Sequence, residues 1–457
     1  HPNHANSHFN LALVCNKNTD YKGALKAYEH ALKLGCADPE EVYMNMANIY
    51  SLCHDENSAQ ELLNKSLSIN PNYIPALFNL AGLLEEKGQK KEALNGYKKI
   101  LKINPEHVDA LVRVGHLEKA SKVNGSLIKQ LEQLLVIADT GPLEKESLFY
   151  CLGKIHDECQ QYKKAFSYYQ QGNRLNSRRV KAFNPVKRTA FSDSVIKNFN
   201  QAWWKKIKNN NRIESLTKNF ENDTPIFICG MFRSGSTLAE QILAGHSEIT
   251  AGGELDFFPR LVARQKDSFI QETLTFTQPQ LATIADEYQS MLVKYFPQAK
   301  KITDKRPDNF ENLGLIKSVF PNAKIILTQR EPLDNILSIY FQQLGDDFNY
   351  ATDLKSIAAF YADYLKISNH WLELFGEDIY SLDYDRLVKD PKNETVKLLS
   401  FLGLDWQDNC LDFTQRDNSV KTASVWQVRE GLYKKSSGRW KNYSAFIDFK
   451  ALLAGKD

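Results

Sequence analysis

The sequence has no apolar run long enough to cross a lipid bilayer. Its longest mostly apolar stretch extends only from Ile74 to Leu84 and is interrupted by Asn79. A membrane-spanning helix needs about 20 consecutive, predominantly apolar residues. We therefore predict a protein without a membrane span.

The sequence also lacks an excess of charge of one sign. Its 58 lysines and arginines nearly balance its 55 aspartates and glutamates, and the formal net charge is +3. Proteins that bind nucleic acid usually carry a strongly basic face, so a nucleic acid is not a predicted partner. A local basic cleft for a small anion is compatible with this balance.

Cysteine is scarce and shows no pairing pattern. The seven cysteines are odd in number, scattered, and include no CxxC pair. This usage predicts reduced thiols and a cytoplasmic location, and no cluster of His, Cys and carboxylate residues predicts a metal site. The chain starts with His1 rather than Met, so we expect a missing start, which leaves a leader sequence open.

The first 177 residues contain a repeat with a period of 34 residues. Ile69–Pro71 recurs as Ile103–Pro105, and the small residues Ala47, Ala81 and Gly115 keep the same spacing. Small residues at this period let two antiparallel helices pack closely in each unit of an α-solenoid. The units begin near residues 5, 40, 74, 108 and 146, and the fourth is degenerate, with Leu127 where alanine is expected.

The pattern of apolar and polar residues changes after residue 177. We interpret residues 178–223, which are basic around Trp203 and Trp204, as a helical linker, and residues 224–457 as a second domain. There, apolar runs alternate with amphipathic stretches, which is typical of a parallel sheet with helices on its faces. The predicted strands are Ile226–Cys229, Ile302–Thr303, Lys324–Gln329 and Ile379–Leu382, and the predicted helices are Ser236–Ala244, Gln280–Tyr295, Leu333–Leu344, Leu354–Phe375 and Pro391–Leu402.

The first predicted strand leads into a loop with the frame of a nucleotide-binding P-loop. Gly230 and Gly235 are separated by four residues, but Ser236 occupies the position of the usual lysine. Backbone N–H groups and the helix N-terminus still form an anion cradle there. Without the lysine, the loop suits a shorter anion than a nucleoside triphosphate. Taken alone, it also fits a Gly-Ser turn between a strand and a helix.

Further residues that bind anions follow the later strands. Arg330 ends the strand Lys324–Gln329, and Ser338 lies on the next predicted helix, so both can reach one phosphate at the edge of the sheet. Near the C-terminus, Arg439 and Lys441 offer a third group of cations. Together with the loop, these positions reduce the weight of the simple turn as an explanation.

These motifs, in this order, resemble the sulfotransferases that use 3′-phosphoadenosine 5′-phosphosulfate, over about residues 222–445. The match is best to protein-tyrosine sulfotransferases and to bacterial sulfotransferases fused to repeats, and the N-terminal units resemble the tetratricopeptide repeat. The resemblance implies a tetratricopeptide-repeat α-solenoid followed by a P-loop-like α/β sulfotransferase domain with a parallel sheet. It also implies an enzyme that uses the phosphosulfate as co-substrate and needs no metal.

The resemblance assigns roles in donor binding residue by residue. Arg330 and Ser338 would hold the 3′-phosphate, and Tyr384, Ser424 and Arg439 match family positions that contact or close over the nucleotide. The residues that would grip the 5′-phosphosulfate are Arg233, Ser234, Gly235, Ser236 and Thr237.

On the acceptor side, the resemblance makes Glu254 the general base, which removes the proton of the attacking hydroxyl. Lys305, together with Arg233, would neutralise charge on the departing phosphate, and Arg260 matches a residue that binds the acceptor peptide. Taken alone, Glu254 also fits a capping or salt-bridging carboxylate, and Lys305 a surface lysine. The acceptor implied is a tyrosine of a protein or peptide, docked on the concave face of the repeats.

The sequence departs from the tyrosine sulfotransferases at Gln342 and Asp256, where that family has arginines. The loss at Asp256 leaves the acceptor open, because an acidic peptide would meet a carboxylate there. A carbohydrate or small-molecule hydroxyl is the alternative acceptor. There are two other hypotheses: a catalytically inactive repeat scaffold, and a P-loop kinase or nucleotidase. The sequence leaves the oligomeric state open.

Overall fold

The computed structural model describes residues 3–118, 125–137, 140–209, 225–265, 268–413, 420, 425–429 and 436–454. The chain divides into two compact units. The first comprises His1–Cys159 with Asp417–Val420, and the second comprises Gln160–Arg416 with Lys421–Asp457. The sequence-based limits at 177 and 223 differ from this division and stay a prediction. Ser424 lies outside the described residues.

The described part of the first unit is helical. Its helices are α1 (Ala5–Lys17), α2 (Tyr21–Lys33), α3 (Pro39–Leu52), α4 (Glu56–Ile69), α5 (Ile74–Glu86), α6 (Lys90–Ile103), α7 (Val108–Leu117), α8 (Gly125–Val136) and α9 (Pro142–Glu158). Consecutive helices pack in pairs, α1 with α2, α3 with α4 and α5 with α6. These pairs begin where the 34-residue spacing predicts them.

Small residues of the repeat pattern explain the close packing of these pairs. Ala81 on α5 is fully buried, and a Cβ added to Gly96 on α6 would lie 2.9 Å from the Cβ of Ala81. Side-chain caps set the helix starts, because the carboxylates of Asp20 and Asp55 accept N–H bonds from Gly23 and Ser58. The repeat pattern thus acts through both helix packing and helix capping.

The second unit begins with three helices that the sequence places in or next to the linker. They are α10 (Tyr162–Arg179), α11 (Pro185–Asn198) and α12 (Gln201–Asn209). The amide of Asn173 on α10 donates to the carbonyl of Tyr340 over 2.8 Å. Phe199 packs against Trp371, with ring centroids 5.9 Å apart. These helices therefore pack on the same core as the strands that follow.

A five-stranded parallel sheet forms the centre of the second unit. Its strands are β1 (Ile226–Gly230), β2 (Ile249–Ala251), β3 (Lys301–Lys305), β4 (Ile325–Gln329) and β5 (Ile379–Asp383), in the order β2-β3-β1-β4-β5. All residues of β1 are buried, as expected for a central strand covered on both faces. The predicted parallel sheet is confirmed, and β2 is a strand that the sequence analysis missed.

Helices cover the sheet between and after the strands. They are α13 (Ser236–Leu243), α14 (Phe257–Gln265), α15 (Phe269–Thr275), α16 (Gln278–Tyr295), α17 (Leu313–Val319), α18 (Pro332–Tyr340), α19 (Leu354–Phe375), α20 (Tyr384–Lys389), α21 (Pro391–Phe401), α22 (Val425–Arg429) and α23 (Phe449–Ala454). The predicted helix Leu333–Leu344 ends at Tyr340. Phe341 and Leu344 are buried but not helical, so their apolar character reflects tertiary packing.

Candidate active site

The loop between β1 and α13 has an unusual backbone. Arg233 has φ 67°, in the left-handed region that non-glycine residues rarely adopt, and Gly235 has φ 103°. A Cβ on Gly230 would lie 2.4 Å from the carbonyl oxygen of Thr328, so only glycine fits there. Strain of this kind persists where the surroundings hold it and often marks a functional loop.

Neighbouring elements hold this backbone by hydrogen bonds. The hydroxyls of Ser234 and Thr328 lie 2.6 Å apart. The amide of Asn335 donates to the carbonyl of Phe232 over 3.0 Å, and Arg330 Nη1 donates to the carbonyl of Arg233 over 3.2 Å. The loop is therefore fixed before any ligand binds.

Three arginines gather at this loop. Arg233 is only 8% exposed, and its Nε donates to the hydroxyl of Ser338 over 3.3 Å. Burial lowers the pKa of Arg233 to about 10, and the charges of Arg330 and Arg439 act in the same direction. Within the described residues, the buried Nε of Arg330 has no hydrogen-bond partner. The region thus clusters three cations and holds a donor that none of these described residues satisfies.

Tyr384 lies beside the loop at the start of α20. A Cβ on Gly235 would come within 2.5 Å of its ring, and the guanidinium of Arg330 lies 4.9 Å from the ring centroid. Its hydroxyl lies 2.7 Å from that of Ser436, whose carbonyl accepts a bond from Arg330 Nη2 over 2.7 Å. The ring, the loop and the guanidinium form one packed group.

Asp334 anchors the C-terminal segment that carries Arg439. Its carboxylate accepts the backbone N–H of Gly438 over 2.5 Å and that of Trp440 over 2.8 Å. Burial raises the pKa of Asp334, while the two backbone donors favour its ionised form. The guanidinium of Arg439 lies 4.9 Å from the ring centroid of Phe341. Asp334 thereby holds the third arginine near the other two.

Glu254 and Lys305 form an ion pair on the other side of the loop. Lys305 Nζ donates to Glu254 Oε1 over 2.6 Å. The lysine side chain is 1% exposed, whereas the glutamate side chain is 34% exposed. A buried cation thus holds a carboxylate that solvent and a second molecule can reach.

Arg260 has an acidic neighbour. Its guanidinium forms an i,i+4 ion pair with Asp256 over 2.6 Å, and both side chains are about half exposed. Asp256 is one of the two departures from the family resemblance noted in the sequence. Its carboxylate offsets the positive charge of Arg260.

His246 has a structural environment. Its Nε2 lies 3.1 Å from the carbonyl oxygen of Asp405, and its Nδ1 accepts the backbone N–H of Glu248 over 3.2 Å. Both ring nitrogens thus have backbone partners.

The predicted residues share one edge of the sheet because parallel strands end on the same side. Along this edge the residues follow the order of the strands in the sheet. They are Glu254 after β2, Lys305 on β3, Arg233 after β1, Arg330 after β4 and Tyr384 after β5. The loop residues lie with Arg233, and Ser338 lies against it from α18. Arg439 reaches the group from the C-terminal segment.

Sequence reasoning missed four residues that build this edge: Thr328, Asp334, Asn335 and Ser436. The signal for Thr328 was a polar residue within an apolar strand. Asp334 and Asn335 are fully buried polar residues at the start of α18, and the sequence alone gives no sign of that burial.

Among the described residues, no helix has the length and apolar character of a bilayer span, and no three His, Cys, Asp or Glu side chains cluster as metal ligands. Comparisons with known proteins agree with the two regions. Residues 225–408 match the model of the sulfotransferase family, and residues 5–34 and 54–114 match models of the tetratricopeptide repeat.

Several curated proteins are similar to this chain. An uncharacterized protein of Aquifex aeolicus (strain VF5) is 30% identical over 423 residues, which cover 90% of this chain and 54% of that protein. A protein-tyrosine sulfotransferase of Drosophila melanogaster is 25% identical over 46% of this chain and 44% of its own length. Protein-tyrosine sulfotransferase A of Caenorhabditis elegans is 25% identical over 42% and 52%. The chain thus spans about half the length of these relatives.

Solved structures also resemble each region. The sulfotransferase domain from the curacin biosynthetic pathway covers 51% of this chain and 96% of its own, with a TM-score of 0.39 and 20% identity. The protein MamA covers 37% of this chain and 96% of its own, with a TM-score of 0.30 and 17% identity. On the evidence of the family models, the chain combines tetratricopeptide repeats with a sulfotransferase domain, and that domain is built on the parallel five-stranded sheet.

Proposed function

We propose that this protein transfers the sulfuryl group of 3′-phosphoadenosine 5′-phosphosulfate to a hydroxyl group, and that the acceptor is a tyrosine of a protein or peptide. The observation that carries the proposal is the cluster of three arginines at the β1–α13 loop. There burial lowers the pKa of Arg233, and the charges of Arg330 and Arg439 act in the same direction. Relatives named protein-tyrosine sulfotransferase support the same reaction.

The site offers places for two separate anionic groups, as this donor requires. The strained loop and the first turn of α13, whose N–H groups lack intrahelical acceptors, suit the 5′-phosphosulfate. Arg330 and Ser338 suit the 3′-phosphate, because the buried Nε of Arg330 has no hydrogen-bond partner in the part of the chain that the structure describes. Tyr384 and Arg439 then contact or close over the nucleotide, and Ser424 keeps its predicted role there.

The ion pair of Glu254 and Lys305, which would act on the acceptor, lies on the opposite side of the loop from the site for the 3′-phosphate. Neighbouring strands are about 4.8 Å apart, so Lys305 on β3 and Arg330 after β4 are separated by about 10 Å of sheet edge. The ligand would then extend along the edge, with its sulfuryl end towards Glu254 and its 3′-phosphate towards β5.

In the reaction, Glu254 accepts the proton of the attacking hydroxyl. The acceptor oxygen forms a bond to sulfur while the bond from sulfur to the bridging phosphate oxygen breaks. Lys305 and Arg233 stabilise the charge on the departing phosphate, and adenosine 3′,5′-bisphosphate leaves. The ion pair between Glu254 and Lys305 holds the carboxylate of the base in place. No metal is needed in this scheme.

Two observations bear on the class of acceptor: the repeats and the Arg260–Asp256 ion pair. The repeats would dock the protein that carries the tyrosine, since such solenoids commonly bind peptides and proteins. The Arg260–Asp256 pair favours a second candidate, because it leaves little net positive charge for an acidic peptide. A carbohydrate or small-molecule hydroxyl is therefore the alternative acceptor. A cytoplasmic location stays a prediction.

The test is sulfuryl transfer from radiolabelled phosphosulfate donor by the full chain, with tyrosine peptides and sugars as acceptors. We expect transfer to a tyrosine peptide. We expect Glu254→Gln to lower kcat about 100- to 10,000-fold without weakening bisphosphate binding. Glu377→Gln, at the opposite end of β5, is the control. Transfer to sugars alone would replace the tyrosine acceptor, and unchanged turnover of Glu254→Gln would remove Glu254 as the base.

A further inference from the structure

A second glutamate lies buried next to the candidate base. Glu240 on α13 is 3% exposed, and its Oε1 accepts two hydrogen bonds. One comes from the backbone N–H of Gly253 over 3.0 Å, and the other from the hydroxyl of Thr303 over 2.8 Å. A buried glutamate is costly unless it is paired or hydrogen-bonded, so this position demands an explanation.

The bond to Gly253 acts on the turn that carries Glu254. Gly253 has φ 70°, a conformation that glycine adopts readily, and its carbonyl accepts the backbone N–H of Lys305 over 2.9 Å. Glu240 thus holds the N–H of Gly253, and β3 holds its carbonyl. The preceding residue is also confined, because a Cβ on Gly252 would lie 2.2 Å from the carbonyl oxygen of Thr303.

We propose that Glu240 is a positioning residue for the acceptor side: by holding the N–H of Gly253, it fixes the turn from which Glu254 reaches Lys305. The inference rests on the proposed function, since it gives Glu240 a purpose in the reaction of Glu254. In this proposal Glu240 acts through the turn and not on the donor or the acceptor, in keeping with its burial. It links α13, whose N-terminus borders the anion loop, to the turn that bears the base, and so couples the two sides of the site.

The geometry explains why this link matters for turnover. Glu254 is partly exposed and bonds Lys305 through a single oxygen, so its direction depends on the backbone that carries it. A displacement of about 1 Å in a reacting group lowers rates about 100-fold. Without the Glu240 carboxylate, the N–H of Gly253 loses its acceptor and the turn is held only from the β3 side.

The experiment compares Glu240→Ala with Glu240→Gln, because glutamine keeps an acceptor oxygen for Gly253 and alanine does not. We expect Glu240→Ala to lower kcat about 100-fold, with an unchanged dissociation constant for adenosine 3′,5′-bisphosphate, and Glu240→Gln to recover most of the rate. In a Glu254→Gln background, Glu240→Ala should cause no further loss. Glu394→Ala, a buried glutamate on α21, controls for general destabilisation.

Hydrogen exchange of residues 249–256 gives a readout that does not depend on turnover. We expect this segment to lose protection in Glu240→Ala and regain it in Glu240→Gln. Unchanged protection in Glu240→Ala, or a further loss of rate in the Glu254→Gln background, would overturn the positioning role. If the wild-type protein transfers no sulfuryl group but the exchange result holds, the proposed function fails while the anchoring of the turn stands.

Discussion

The two sides of the candidate site treat charge in opposite ways. On the β1, β4 and β5 side, Arg233, Arg330 and Arg439 cluster: burial lowers the pKa of Arg233, and the charges of the other two arginines act in the same direction. On the β2 and β3 side, Lys305 and Arg260 are each paired with a carboxylate. The first side brings like charges together, and the second side brings opposite charges together.

This difference indicates what each side is built to do. Clustered cations repel one another, and a bound anion relieves that repulsion, so the first side suits a ligand of fixed negative charge. A balanced pair instead keeps an ionised carboxylate in place for proton transfer. Each prediction below alters the charge or bonding of one side and asks whether the other side responds.

The largest effect is expected from Arg233→Ala, because Arg233 borders both sides. It should lower kcat about 100- to 1,000-fold through lost stabilisation of the departing phosphate. It should also weaken binding of adenosine 3′,5′-bisphosphate about 10- to 100-fold, which calorimetry measures. Arg386→Ala, whose side chain is 65% exposed, is the control. Loss of turnover with unchanged binding would place Arg233 on the acceptor side alone.

Asp304→Asn tests the protonation state of a buried carboxyl group that, unlike Glu254, belongs to none of the ion pairs described above. Asp304 faces Tyr288 and Asn309, and burial raises its pKa from 3.8 to about 8. The folded protein therefore binds this proton more tightly than the unfolded chain does. Wild-type stability relative to the variant should be greatest below pH 3.8 and should fall as the pH rises towards about 8.

The free energy of unfolding should fall by on the order of 5 kcal/mol, because one pKa unit corresponds to about 1.4 kcal/mol, and urea unfolding across that pH range measures it. Bisphosphate binding by Asp304→Asn should match the wild type. A stability difference that stays constant with pH would show that Asp304 is ionised in the folded protein.

Ser338→Ala removes one hydroxyl from the side that holds the three clustered arginines. It should weaken adenosine 3′,5′-bisphosphate binding up to about 10-fold and leave 5′-AMP binding unchanged, because only the 3′-phosphate is proposed to meet Ser338. Calorimetric titration of both ligands checks this, with the exposed Ser400→Ala as control. Equal weakening of both ligands would assign Ser338 to the loop instead.

The smallest effect is expected from Asp256→Asn, which removes the carboxylate that offsets Arg260. The KM for an acidic tyrosine peptide should fall about two- to fivefold, in keeping with the modest energy of exposed ion pairs. Steady-state kinetics with acidic and neutral peptides measures it. An equal change for both peptides would mean that Arg260 does not read the charge of the acceptor.

The sequence alone predicts those parts of the fold that are marked by regularly spaced small residues or by apolar runs. Small residues such as Ala81 and Gly115 recur every 34 positions because close helix packing requires them. The apolar runs of β1 and β4 are buried on both faces and stand out in the same way. The strand β2 was missed because Ile249–Ala251 is too short to show an alternating pattern.

The candidate site was only partly predictable. The loop and Arg330 carry strong motifs, so their neighbourhood follows from the parallel topology. The ion pair of Glu254 with Lys305 and the bond of Glu240 to Gly253 join residues far apart in sequence. Such contacts depend on strand order, which the motifs do not encode. By contrast, the four-residue spacing of Asp256 and Arg260 does indicate their ion pair once the helix that follows Asp256 is recognised.

The most direct test of the central claim is a calorimetric comparison of adenosine 3′,5′-bisphosphate with 5′-AMP on wild-type protein and on Arg330→Ala. We expect the wild type to bind the bisphosphate at least about 10-fold more tightly, and Arg330→Ala to lose that preference while still binding 5′-AMP. Equal affinities for the two ligands in the wild type would contradict a 3′-phosphate site at Arg330 and, with it, the proposed donor.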